Sequence, residues 1–145
     1  MAIHFFSEDT PFQLKQKLNR KTWLKKVSSL ESFHILDLNY IFCSDEYLLK
    51  MNLEYLKHDT YTDIITFDNS EKETEIEGDI YISIDRVIEN AKEYNIDQET
   101  ELSRVLSHGL FHLMGYKDKT KSESEMMRKK EEFAISLFKK LYCST

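Results

Sequence analysis

Long apolar runs are missing from this chain, and none approaches the roughly 18 residues that a membrane-spanning helix needs. Cysteine is scarce too. Cys43 and Cys143 are the only two, which is too few for the disulfide framework of a small secreted scaffold and points to a reduced, cytoplasmic protein. The first residues, Met1 to Glu8, lack the basic start and apolar core of a signal peptide, in line with that expectation. Three glycines and one proline leave few positions for special turns, so regular structure should dominate and loops should be short. Basic charge is in deficit overall, with a net charge of -6, which by itself argues weakly against a nucleic-acid partner. The deficit is not uniform. Between Thr10 and Leu30 there is no acid, while Lys15, Lys17, Arg20, Lys21, Lys25 and Lys26 all lie there, and Lys117, Lys119 and Lys121 form a second group. A phosphate backbone responds to local basic surface rather than to net charge, although such runs are commonly just solvated helix faces.

What the chain does contain fits one globular α+β domain over residues 1–145: 41% hydrophobic and 32% charged residues. A short strand over Ala2–Phe6 precedes Thr10-Pro11, which reads as an N-cap with proline at the first helical position of a helix to about Ser28. His34 to Cys43 reads as a strand, and Ser44-Asp45-Glu46 opens a second helix. Residues 57–62 have no period and read as a loop. Asp63–Phe67 is a strand by its β-branched content, with Gly78–Ser83 as its plausible antiparallel partner. Helices should follow over Asp85–Tyr94, from Asp97 through Met114, and from Thr120 to Tyr142. Asp63 and Asp79 fall at the expected strand starts and read as turn or capping residues.

The chemistry concentrates between Ser107 and Lys119. His108 and His112, four residues apart, share one side of a helix about 6 Å apart along its axis, as a single zinc ion requires of two imidazoles. Gly115 suits the left-handed turn that ends a helix, and Asp118 then has the spacing to return as a third, oxygen ligand. A three-ligand site with one open position results. Zinc is the default ion, and the carboxylate also admits nickel or manganese. The residue after the first histidine is Gly109, where zinc peptidases carry a glutamate base. A glycine in mid-helix also implies that another helix or a substrate approaches the backbone closely.

The run His108-Gly109-Leu110-Phe111-His112-Leu113-Met114-Gly115-Tyr116-Lys117-Asp118 resembles the signature of the YbeY family of bacterial endoribonucleases. Asn52-Leu53-Glu54-Tyr55, Thr62-Asp63-Ile64-Ile65-Thr66-Phe67 and Gly78-Asp79-Ile80-Tyr81-Ile82 match the same family in order and spacing. The resemblance implies a zincin-like fold, with a small mixed sheet of about four strands and helices packed around a central metal-ligand helix. It also implies a metal-dependent, single-strand-specific endoribonuclease acting in rRNA maturation, including 16S rRNA 3′-end processing, and in ribosome quality control. The partners implied are rRNA and the ribosomal small subunit or its precursors. Two positions depart from the family pattern. Asp118 stands where the family has its third histidine, after Lys117 in place of an aspartate, and Leu56 stands where the family has an arginine. Lys57, beside it, is the candidate phosphate contact, as a point charge without the arginine fork. His58 is a further candidate proton carrier. Two other readings compete with the nuclease: a ribosome-assembly binding protein with a structural metal, and a zinc-dependent peptidase.

Overall fold

Glu75 to Ser83 alternates residue by residue, with Ile76, Gly78, Ile80 and Ile82 turned inward and Glu77, Asp79 and Tyr81 turned outward. That two-residue period is what a strand with one covered face requires. In the computed structural model, which describes residues 2–56 (without the side chain of Leu56) and 63–143, this strand lies at the centre of a four-stranded sheet. The strands are β1 (Ala2–Ser7), β2 (His34–Cys43), β3 (Ile64–Asp68) and β4 (Glu75–Ser83), in the order β1-β2-β4-β3. β1 and β4 both pair parallel to β2, and β3 pairs antiparallel to β4 with Ile65 opposite Tyr81. The hairpin expected from the sequence is therefore present, and β4 begins three residues earlier than Gly78. Asp79 is consequently a mid-strand residue rather than a strand start; its carboxylate accepts a hydrogen bond from Asn39 Nδ2 at 3.0 Å.

Five α-helices are described: α1 (Lys17–Leu30), α2 (Asp45–Met51), α3 (Ile84–Glu93), α4 (Gln98–Leu113) and α5 (Lys121–Tyr142), with a π-helical turn over Asn52–Leu56 after α2. Their starts follow capping chemistry. Ser44, Asp97 and Thr120 each accept a hydrogen bond from the backbone N–H three residues on. Thr120 and Glu123 form a reciprocal capping box.

The first helix departs from expectation. It starts at Lys17, not after Pro11, because the preceding segment has other uses for its groups. Ser7 Oγ donates to the Phe12 carbonyl at 2.7 Å, Phe12 packs edge-on against Phe42 at 4.9 Å, and Leu14 is buried. Gln16, at φ 56, then breaks the helical path immediately before α1.

The helices α1, α4 and α5 share the main core with the inner face of the sheet. Trp23, fully buried on α1, donates from Nε1 to the Ala134 carbonyl of α5 at 2.8 Å, so its one polar atom is satisfied. Tyr40 of β2 donates its hydroxyl to the Leu106 carbonyl of α4 at 2.8 Å, and its burial pushes the phenol far above its usual range. Ten of the sixteen residues of α4 are buried. The helix that carries His108 and His112 is therefore central, as expected.

Candidate metal centre

Packing decides the path of α4 before any ligand is considered. A Cβ built on Gly109 would lie 2.9 Å from Ile64 Cδ1 and 3.0 Å from both Cδ1 and Cγ2 of Ile80. The close approach implied by this glycine is thus to the sheet, not to a helix or a substrate. No glutamate fits at that position in this packing. His108 and His112 emerge one turn apart on the flank of α4 next to Gly109. After Leu113 the chain turns through Gly115 at φ 101, a conformation that L side chains rarely adopt, and Asp118 comes back toward the two rings.

The three expected ligands meet. His108 Nε2 and His112 Nε2 are 2.9 Å apart, and Asp118 Oδ2 lies 3.4 Å from the first and 3.5 Å from the second. Tetrahedral bonds of about 2.0–2.1 Å place neighbouring ligand atoms about 3.3 Å apart, close to these edges. A circle through the three atoms has a radius of about 1.9 Å, shorter than such a bond, so one ion is able to reach all three. The donor set of two imidazoles and one carboxylate suits zinc and leaves one side open. Burial, and next to it the neighbouring His108, hold the His112 imidazole below its ordinary range, despite the opposing effect of Asp118. That favours the neutral ring that a metal needs.

Around the candidate ligands lies a set of partners of which the sequence reading singled out only Asp63, as a turn or capping residue. His108 Nδ1 is 2.5 Å from Glu131 Oε2, a residue of α5 that is only 6% exposed. Glu131 Oε1 accepts from Arg104 Nη1 at 3.4 Å. Arg104 Nε donates to Glu101 Oε1 at 2.9 Å, and Nη2 reaches Glu101 Oε2. Burial alone would lower the Arg104 guanidinium, but Glu101, Glu131 and Asp63 together raise it. Asp63, just before β3, is 3.8 Å from Arg104, and its carbonyl accepts from Ser83 N–H at 3.0 Å. The only trace of Glu131 in the sequence is its place in the helical stripe Met127, Glu131, Ala134, Phe138, which is otherwise apolar and buried.

The ligand loop has its own anchor. Tyr116 donates its hydroxyl to Glu31 Oε1 at 2.5 Å, and Lys130 donates to Glu31 Oε2 at 2.6 Å. Lys117 and Lys119 are exposed beside Asp118. Lys57 and His58 lie outside the described residues.

Residues 4–139 match the family model described as Endoribonuclease YbeY. The chain belongs to the YbeY family. A Cytophaga hutchinsonii protein named endoribonuclease YbeY is 60% identical over 138 residues, which cover 95% of this chain and 96% of that protein. A relative of the same name from Christiangramia forsetii is 53% identical and covers 94% of each chain. The solution structure of a Thermotoga maritima protein, 28% identical, superposes with a TM-score of 0.67 over 96% of this chain and 90% of its own. The YbeY resemblance read from four short segments is thus borne out over nearly the full length, and so is the α+β architecture.

Proposed function

We propose that this chain is a metal-dependent endoribonuclease that hydrolyses phosphodiester bonds in single-stranded RNA, with zinc held by His108, His112 and Asp118. Its place would be in rRNA maturation, at 16S rRNA 3′-end processing and ribosome quality control, in the cytoplasm. The observation that carries the reading is the convergence of these three ligand atoms in a chain whose relatives are named endoribonucleases. Bound there, the ion would supply Lewis acidity toward a phosphate oxygen or a water. The protein's own groups do the rest. His108 and His112 offer nitrogen donors from a helix fixed by the sheet, and Asp118 offers a carboxylate oxygen from the more exposed side. Lys117 and Lys119 supply positive charge where an RNA backbone would approach, and Lys57 is retained as the candidate phosphate contact.

A peptidase of the usual type would need a carboxylate where Gly109 lies against Ile64 and Ile80. The non-catalytic reading, a ribosome-assembly binding protein with a structural metal, draws on Leu56 standing in place of the family arginine. Elemental analysis of protein purified without added metal, together with cleavage of single-stranded and structured RNA, tests the proposal. The wild type should carry one divalent ion per chain and cut single-stranded RNA, and His112→Ala should lose both properties. Full cleavage by His112→Ala would refute it, and bound metal without cleavage would favour the non-catalytic reading.

A further inference from the structure

We infer that Glu131 is a positioning residue for the metal site: pinned by Arg104, it holds His108 with Nδ1 protonated and Nε2 turned toward the ion. The inference rests on the metal reading of the same site and extends it to a residue on another helix.

Glu131 is in an unusual place for an acid. Glu125 and Glu132 of the same helix are exposed, as solvated helix carboxylates usually are. Glu131 instead occupies the stripe of Met127, Ala134 and Phe138 that packs into the core. A carboxylate taken out of water needs specific partners, and the two oxygens of Glu131 have different ones. Oε1 faces Arg104 Nη1 at 3.4 Å, and Oε2 faces His108 Nδ1 at 2.5 Å. Arg104 is itself fixed by both oxygens of Glu101, which is fully buried. The carboxylate is thus held at one end and committed to the imidazole at the other.

The consequence for His108 is geometric. The two nitrogens of an imidazole are rigidly related, so fixing the direction of Nδ1 fixes that of Nε2. Here Nε2 points to the place where His112 Nε2 and Asp118 Oδ2 also converge, at 2.9 and 3.4 Å. A metal takes the lone pair of Nε2, which requires the ring proton on Nδ1, and an acceptor at Nδ1 selects that tautomer. Of the two imidazoles, His108 is the one whose Nδ1 meets a carboxylate carried by another helix.

The rival explanation is that Glu131 serves only as a counter-ion to Arg104, in which case its loss would alter stability and leave metal affinity alone. Glu131→Gln separates the two. It keeps the size of the side chain and one oxygen acceptor, and Arg104 keeps Glu101 and Asp63. Zinc affinity of the full chain would be measured by competition with a chromogenic chelator for wild type, Glu131→Gln, Glu131→Ala and His112→Ala, alongside thermal melts in the presence of excess chelator. Glu131→Gln should weaken zinc binding by about 10–100-fold and Glu131→Ala by more, while the metal-free melting temperature of Glu131→Gln stays close to that of wild type. Long-range proton–nitrogen spectra of zinc-loaded wild type should show His108 protonated at Nδ1 and ligated through Nε2, a readout that stands even if both variants fold poorly. Wild-type zinc affinity in Glu131→Gln, or a His108 protonated at Nε2, would overturn the inference. Failure of wild type to bind any divalent ion is a distinct outcome, and it would overturn the metal reading itself.

Discussion

Replacing Gly109 with alanine sets two known effects against each other. In a free helix the change would stabilise by up to about 1 kcal/mol. In this protein the new Cβ would sit 2.9–3.0 Å from three methyl carbons of Ile64 and Ile80, on two neighbouring strands, where carbon contacts are comfortable at about 3.5–4.0 Å. Lifting α4 off the sheet to relieve this is opposed by its packing against α3 and α5 and by the Tyr40–Leu106 hydrogen bond. Overpacking of this kind costs about 1–3 kcal/mol, so the net effect should be a loss of about 1 kcal/mol. For a chain of this size that corresponds to a fall in melting temperature of about 2–4 °C. The sharper test is a double-mutant cycle with Ile64→Val, which removes the methyl in closest conflict. Alone, Ile64→Val should cost about 0.5–1.5 kcal/mol. In the Gly109→Ala background it should cost about 0.5–1 kcal/mol less, because the pair is in contact. Urea denaturation with excess chelator measures all four proteins without a contribution from bound metal. Additive effects, or a Gly109→Ala protein more stable than wild type by the full helix propensity, would refute the argument that the sheet imposes this glycine.

Acid should weaken the anchor of the ligand loop. Burial would raise the Glu31 carboxyl, but hydrogen bonds from Lys130 and Tyr116 outweigh it and hold the group below its usual range. A depressed carboxyl contributes stability that is present above its unfolded value of about 4.3 and is lost as the pH falls through the folded value; the stability gap between wild type and Glu31→Gln should therefore be constant from neutral pH to about 5 and shrink below that, and a gap unchanged at pH 3 in urea titrations would contradict the assignment. Asp118→Asn keeps an oxygen at the third corner of the ligand triangle and removes its charge, so its loss of zinc affinity in chelator competition should exceed that of Glu131→Gln; the reverse order would remove Asp118 from the ligand set.

The parts of the fold that were legible in the sequence are those decided by local chemistry. Ser44, Asp97 and Thr120 start helices because their side-chain oxygens satisfy orphan backbone donors within three residues. The convergence of the candidate ligands was legible for the same reason, since His108, His112, Gly115 and Asp118 all lie within eleven residues and depend on one helix and one turn. Reading failed where distant partners took over. Thr10-Pro11 carries the local signal of a helix start, yet Phe12 and Leu14 are drawn onto the sheet and the helix waits until Lys17. The start of β4 was hidden because Glu75 and Glu77 are acidic, although their alternation with Ile76 and Gly78 carried the strand period. Glu131 was missed because its meaning lies in a contact 23 residues away. Only an acid in an apolar stripe hinted at it.

The exposure of the ligands gives the site a direction. His108 is 15% exposed, His112 26% and Asp118 39%, so the triangle opens from the interior of the α4–α5 layer toward the loop after Gly115. One wall is closed to a substrate because Gly109 and the helix face behind it lie on Ile64 and Ile80. A second is closed by Glu131 of α5 and Arg104 of α4, which lie behind His108. An RNA strand reaching an ion at this triangle would therefore come past Asp118, over Lys117 and Lys119. Those lysines are exposed on either side of Asp118 and offset its charge locally. On the proposed reading the carboxylate would take the third ligand position, and the lysines on either side of it would keep the entrance attractive to a phosphate backbone.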